Sequence, residues 1–312
     1  MADPAAESRL SILWRAARAA LSRMRASAGD FTRRVWDKAG EDDVFFLSGG
    51  IAFNVLLAAI PFVLILIAVF GWVLKAAVAD PEQAAVDYVL RILPPSEQLA
   101  TLTRTLVRDV VDGRTQFGIV GLALFVWTAT RFFGSLRSVL KHIFDLPEER
   151  GIVKGKIFDG LMVLVAGTLF LLNTGITVAI EAAQAYGVQL LGVAETAQAE
   201  SFQRALARLL AFAFIYLMFV LIYRYLPLRH TPWRISLVAA AFTSVVWELL
   251  KGGFAWYVSN LGNYRTTYGT LSTLILLVFW AYYSSVVFVL GGEVAYVYDL
   301  LRRRRRQREL LE

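Results

Sequence analysis

Four ionisable residues stand where a lipid-like environment would make them costly: Arg131, Glu248, Lys251 and Glu293 all lie within or at the end of long uncharged runs. A charge at the centre of a bilayer costs at least about 2.5–3.5 kcal/mol, so such a group usually faces protein or water. Glu248 and Lys251 are three residues apart, which puts both on one helix face, where they can pair. Arg131 stands in Trp127-Thr-Ala-Thr-Arg-Phe-Phe133, and Glu293 follows Gly291-Gly292. Two readings stay open for this set. It is either a mutually neutralising group that locks helices together, or a polar pathway in which Arg131 and Lys251 suit an anionic group and Glu248 binds or relays a cation or proton.

Asn54 and Pro61 add a related signal. A proline in mid-helix removes one hydrogen bond and clashes with the carbonyl four residues back, here that of Leu57. A kinked or broken helix beside Asn54, preceded by Gly49-Gly50, is an irregularity of the kind transporters place at binding sites. Other chemistries lack their residues. There is no cysteine, which excludes disulfides, thiolate metal sites and Cys nucleophiles. His142 and His230 are in neither an H-x-E nor an H-E-x-x-H arrangement, so no zinc site is indicated. No phosphate loop and no G-x-S-x-G elbow is present. The expectation is a non-enzymatic chain without a cofactor or metal.

The elements that position these residues follow from composition. Of 312 residues, 57% are hydrophobic and only 18% charged, against about 25% charged in soluble domains. Runs near 20 apolar residues cross a bilayer as helices, and six segments qualify: about 44–74, 117–133, 157–180, 205–223, 235–258 and 266–292. The fourth is the shortest uncharged run, Leu209–Tyr223, with Arg204 and Arg208 placed to snorkel from its end. With the N-terminus inside, the inner segments hold 22 Lys and Arg and the outer ones eight, which by the positive-inside rule places both termini in the cytoplasm.

The domains are therefore a basic cytoplasmic segment over 1–43, a six-span membrane domain over 44–300 and a basic tail over 301–312. Residues 8–28 read as a basic amphipathic helix with Arg15 and Arg18 on its polar side. That helix and the tail Arg302, Arg303, Arg304, Arg305 and Arg306 would lie on anionic lipid headgroups, each basic residue contributing about 1 kcal/mol near the surface. RNA binding is the sharper alternative, but no aromatic stacking platform accompanies the charge, so no nucleic-acid partner is expected. Between the first two spans, Asp80-Pro81 starts a helix, Pro94-Pro95 ends it, and a second apolar stripe, Leu99, Leu102, Leu106 and Val110, runs to Asp112-Gly113. This is an amphipathic helical hairpin over about 80–112 on the outer side, acting as a cap or as a gate. The fold class is all-α, a polytopic membrane helix bundle.

Several blocks carry a resemblance. Gly50-Ile-Ala-Phe-Asn-Val-Leu-Leu-Ala-Ala-Ile-Pro61, Trp127–Phe133 with Ser135-Leu-Arg-Ser-Val-Leu140, Tyr223-Arg-Tyr-Leu-Pro227, and the stretch from Tyr264 and Tyr268-Gly269 through Trp280-Ala-Tyr-Tyr-Ser-Ser285 to Gly291-Gly-Glu293 resemble the YihY/BrkB family of bacterial inner-membrane proteins. The resemblance covers about residues 30–300; Phe53-Asn54 departs from the aromatic or small residues the family usually shows. It implies a six-span inner-membrane protein and no settled activity. The family once carried the label ribonuclease BN, since withdrawn, and its links with serum resistance and lipopolysaccharide export point toward envelope lipid transport. Three functions are thus expected in order: a transporter or lipid translocase of an amphipathic or anionic substrate without its own ATPase, an envelope scaffold recruiting partners, and, distantly, a membrane-associated ribonuclease. Homo-oligomerisation is left open.

Overall fold

The computed structural model describes residues 29–77, 97–146, 151–185, 197–227, 231–260 and 271–311. The basic helix over 8–28 with Arg15 and Arg18, the first half of the outer hairpin, His230 and Tyr264–Gly269 lie outside these residues.

Seven helices and no strand occur among the described residues. A short α1 covers 29–41. Six long helices follow: α2 Val44–Ala77, α3 Glu97–Ile143, α4 Ile152–Ala185, α5 Ala197–Tyr225, α6 Trp233–Asn260 and α7 Leu271–Glu309. In hydrocarbon no water can satisfy a free N–H or C=O, so an apolar chain closes all its backbone bonds inside helices. Five of the six long helices carry a described stretch apolar and long enough to span. The remaining one, α4, is uncharged from 160 to 180.

The elements differ from the sequence expectation in three ways. Pro61 sits inside α2, which continues on both sides of it rather than breaking; surrounded by apolar neighbours, the helix has no better way to satisfy its other backbone groups. The second half of the outer hairpin and the second span form one 47-residue helix that passes straight through Asp112-Gly113. At about 1.5 Å per residue it is roughly 70 Å long, more than twice the ~30 Å hydrocarbon thickness. The Arg302–Arg306 run is helical and continues α7 to Glu309.

Helix α2 packs along α3 and against α7; α7 also meets α6 and α3; α5 joins α6 and α4, and α4 joins α3. The packed core is gathered toward one end of the bundle: Val44 and Ile51 of α2, Leu136, Leu140 and Ile143 of α3, Tyr223 of α5, Ile235 and Ala239 of α6 and Val289 of α7. Away from it, large apolar side chains such as Leu164, Leu171 and Leu249 face outward, as a lipid solvent permits. Trp36 and Phe46, 76% and 82% exposed, and Trp233 stand near the α1–α2 corner and the start of α6, where aromatic rings suit the membrane–water interface.

Candidate functional site

Two helix corners build the site. Asp43 has φ 50° and Asp145 φ 49°, the left-handed region that aspartate tolerates better than most side chains. At the first corner α1 stops, and the Asp43 carbonyl accepts the opening bonds of α2 from Phe46 and Leu47 N–H at 2.8 and 3.1 Å. At the second, Leu146 N–H donates to the Lys141 carbonyl at 3.1 Å, a six-residue closure around a left-handed residue that ends α3. Each corner thereby carries an aspartate toward α7.

Lys38 of α1 joins them. Its Nζ is 2.8 Å from Asp42 Oδ1 and 3.8 Å from Asp145 Oδ2, and it lies 5.0 Å from the centre of the Tyr296 ring. Tyr296 Oη donates to Asp145 Oδ2 at 2.9 Å. Partial burial works against the Lys38 charge, but the Asp42, Asp145 and Glu293 carboxylates outweigh it and hold the ammonium above the ordinary lysine range.

Glu293 is the group this frame encloses. Its side chain is wholly buried, and neither oxygen meets a donor; Asp42 Oδ2 is equally without one. Asp42 is nonetheless tied to Lys38, whose ammonium lies over the ring of Tyr296, one helical turn from Glu293 on α7. Ionised carboxylates only accept, so a bond between them requires a proton on one. Asp42, Asp145 and Glu293 thus surround a single ammonium.

The preceding glycines explain how Glu293 gets so deep. A Cβ on Gly291 would overlap Thr243 Oγ1 and Tyr223 Oη, and one on Gly292 would stand 2.9 Å from Ile143 Cδ1. Without side chains there, α7 closes onto α3, α5 and α6. Tyr223 fixes the contact: its Oη donates to the Phe288 carbonyl at 2.6 Å and sits 2.9 Å from Thr243 Oγ1, while its ring stacks on Phe288 at 5.3 Å.

The other candidates are divided between helices. Lys251 pairs with Glu248 at 2.7 Å, both side chains about 40% exposed. Arg131 is exposed and lies over the Trp127 ring, 5.4 Å from its centre. Asn54 donates to the Gly50 carbonyl of its own helix at 2.9 Å, leaving its Oδ1 buried without a partner. Because α2 and α3 pack on each other and on α7 whereas α6 packs on α5 and α7, Asn54, Pro61 and Arg131 sit on a different helix pair from Glu248 and Lys251. Of the six candidates, only Glu293 enters a multi-helix polar cluster. Sequence reading missed Lys38, Asp42, Asp145 and Tyr296. It also missed Arg137, whose guanidinium forks onto Asp159 of α4 with two bonds of 3.0 Å. The one available signal was the acid run Glu41-Asp42-Asp43 inside an otherwise basic segment.

Among the described residues no group of three His, Cys, Asp or Glu side chains suits a metal ion. A bundle of long apolar helices around a buried carboxyl cluster defines a polytopic helical membrane protein. The pattern of the family described as virulence factor BrkB matches residues 35–311, and the chain belongs to that family. It is similar to a UPF0761 membrane protein of Aeromonas salmonicida, 26% identical over 88% of this chain and 90% of the relative. It is equally similar to one of Xanthomonas campestris pv. campestris, 26% identical over 88% of this chain but 61% of that longer relative. No solved structure matches.

Proposed function

We propose that this chain is a transporter or lipid translocase of the bacterial inner membrane, moving an amphipathic or anionic envelope substrate without an ATPase or other catalytic activity of its own. Both termini are then cytoplasmic, in keeping with the 22-to-8 division of Lys and Arg between the two sides. Glu293 carries the reading. A carboxyl kept for stability alone is expected to find its donors, as Asp159 does with Arg137; one buried with both oxygens unpartnered costs free energy that packing does not recover. Such a group at a joint between helices suits a change of protonation state during work. Exposed Arg131 and the half-exposed Glu248–Lys251 pair offer charge to lipid headgroups along the outside of the bundle.

The test is translocation of fluorescent anionic and zwitterionic lipids in proteoliposomes, comparing wild type with Glu248→Ala and Glu293→Gln. Protein-dependent movement of the label, slowed by either substitution, is the expected result. Absence of movement with every lipid, in correctly folded and oriented protein, would refute a lipid translocase.

A second reading, a scaffold that recruits envelope machinery, draws on α3, whose length carries it well beyond the bilayer. A stoichiometric partner lost on deleting residues 80–112 would favour it.

A further inference from the structure

We infer that Asp42 and Glu293 form a binding site for one exchangeable proton, and that occupancy of this site holds α7 against the α1–α2 corner. Two independent observations meet here. Lys38 bonds Asp42 at 2.8 Å while lying over the ring of Tyr296, one helical turn from Glu293, so the two acids come from elements far apart in sequence to the same corner. Both are buried, Asp42 to 7% exposure and Glu293 to 0%, with three carboxyl oxygens lacking any donor. One proton between them supplies that donor and removes one of two adjacent negative charges, the arrangement by which two carboxylates share a site.

The surrounding charges do not satisfy these oxygens. Facing Glu293 are Lys38 from α1, Asp42 from the corner, and Asp145 from the end of α3; on its own helix, Tyr296 already donates to Asp145. Lys38 is the one cation in this set, and its short contact is spent on Asp42 Oδ1, not on the oxygens that lack donors. With the proton bound, the four groups Lys38, Asp42, Asp145 and Glu293 sum to a charge of −1. When the proton leaves to solvent water, both carboxylates are ionised and the sum is −2. The O–H bond breaks heterolytically, the electron pair stays on the carboxylate, and the proton goes to water. Two like charges in a poorly solvated pocket then push α7 from the corner, and closure requires the proton back. A proton is favoured over a divalent ion because the described acids form no metal-binding group.

The coupling of this step to substrate movement rests on the transporter reading; the proton site itself does not. The decisive measurement is the infrared difference spectrum of the full-length protein in lipid nanodiscs, titrated with acid and alkali. The wild type should show a protonated-carboxyl C=O band that appears and disappears with pH, and both Glu293→Gln and Asp42→Asn should lose it. The amide of either variant can still bond to the remaining carboxylate, so folding is retained, which circular dichroism checks. A wild-type spectrum with no titrating carboxyl band, or a band that survives both substitutions, overturns the proton site. A band that responds to sodium at fixed pH instead of to protons also overturns it.

The coupling is read separately, from translocation with and without an imposed pH gradient. Acceleration in wild type that Glu293→Gln abolishes supports coupling, and equal acceleration in both refutes it. If no lipid moves under any condition, the transporter reading fails while the infrared result still decides the proton site.

Discussion

Lys38 pairs with Asp42 and Asp145 from one position, and that makes its charge measurable. Because its folded value is raised above the ordinary 10.5, the stability it contributes is complete below the unfolded lysine value and is lost as pH rises through the folded one. Lys38→Met should therefore cost about 3 kcal/mol at neutral pH, the scale for breaking a largely buried pair. The gap in unfolding midpoint between variant and wild type should narrow only above the ordinary lysine range; an unchanged gap in strong alkali would defeat the assignment. Tyr223 offers a second residue-scale test. Tyr223→Phe removes the donor to the Phe288 carbonyl and a neighbour of Thr243 Oγ1 while keeping the ring stack, so a loss of about 1–2 kcal/mol is expected in detergent unfolding.

Between elements, the α3–α4 and α5–α6–α7 contacts are made by different means. Arg137 and Asp159 are joined by a planar fork, with side chains 18% and 4% exposed. Gly155 leaves room for the guanidinium, since a Cβ there would stand 2.9 Å from Nη2. Arg137→Ala should cost about 3–5 kcal/mol by stranding Asp159, and Arg137→Ala with Asp159→Ala should recover a large part of it. Arg137→Lys should not rescue, because a lysine cannot fork. Around α7 the joint is steric instead. Gly291→Ala should destabilise by about 1–3 kcal/mol through overpacking against Thr243 and Tyr223, with lowered yield of monodisperse protein as the measure. These contacts explain what the sequence could and could not tell. Glu248 and Lys251 were readable because three residues of helix fix their relation. Glu293 was readable as a charge ending an apolar run. Lys38, Asp42 and Asp145 were not, because they stand in charge-rich segments and gain meaning only once α1, α3 and α7 meet. Arg131 was readable as a charge inside an apolar run, but not that its long side chain lies over Trp127 of its own helix.

For the whole molecule, the membrane as solvent makes the architecture legible. Length and apolarity select the spans, so those of α2, α5 and α6 begin or end close to the expected residues, whereas that of α7 runs from Leu274 to Glu309. What composition could not decide was where a helix stops outside the lipid, since polar residues such as Asp112 and Arg302 continue a helix as readily as they end one. The absence of cysteine makes topology directly measurable. Single cysteines at Ala84 and Ala194 should react with a membrane-impermeant thiol reagent from outside intact cells, and one at Ser8 should not; the reverse pattern would refute the cytoplasmic placement of the ends.

The left-handed backbone at Asp43 has a consequence of chirality. An L-residue with a branched β-carbon disfavours that conformation, and would tend to let α1 run on into α2 as one straight rod. Straightened, α1 would carry Lys38 away from Asp145 and Tyr296 and leave Glu293 under a different neighbour. Asparagine or glycine at residue 43 would keep the bend, whereas valine would work as a mechanical lever on the acid pair without altering a single charge within it.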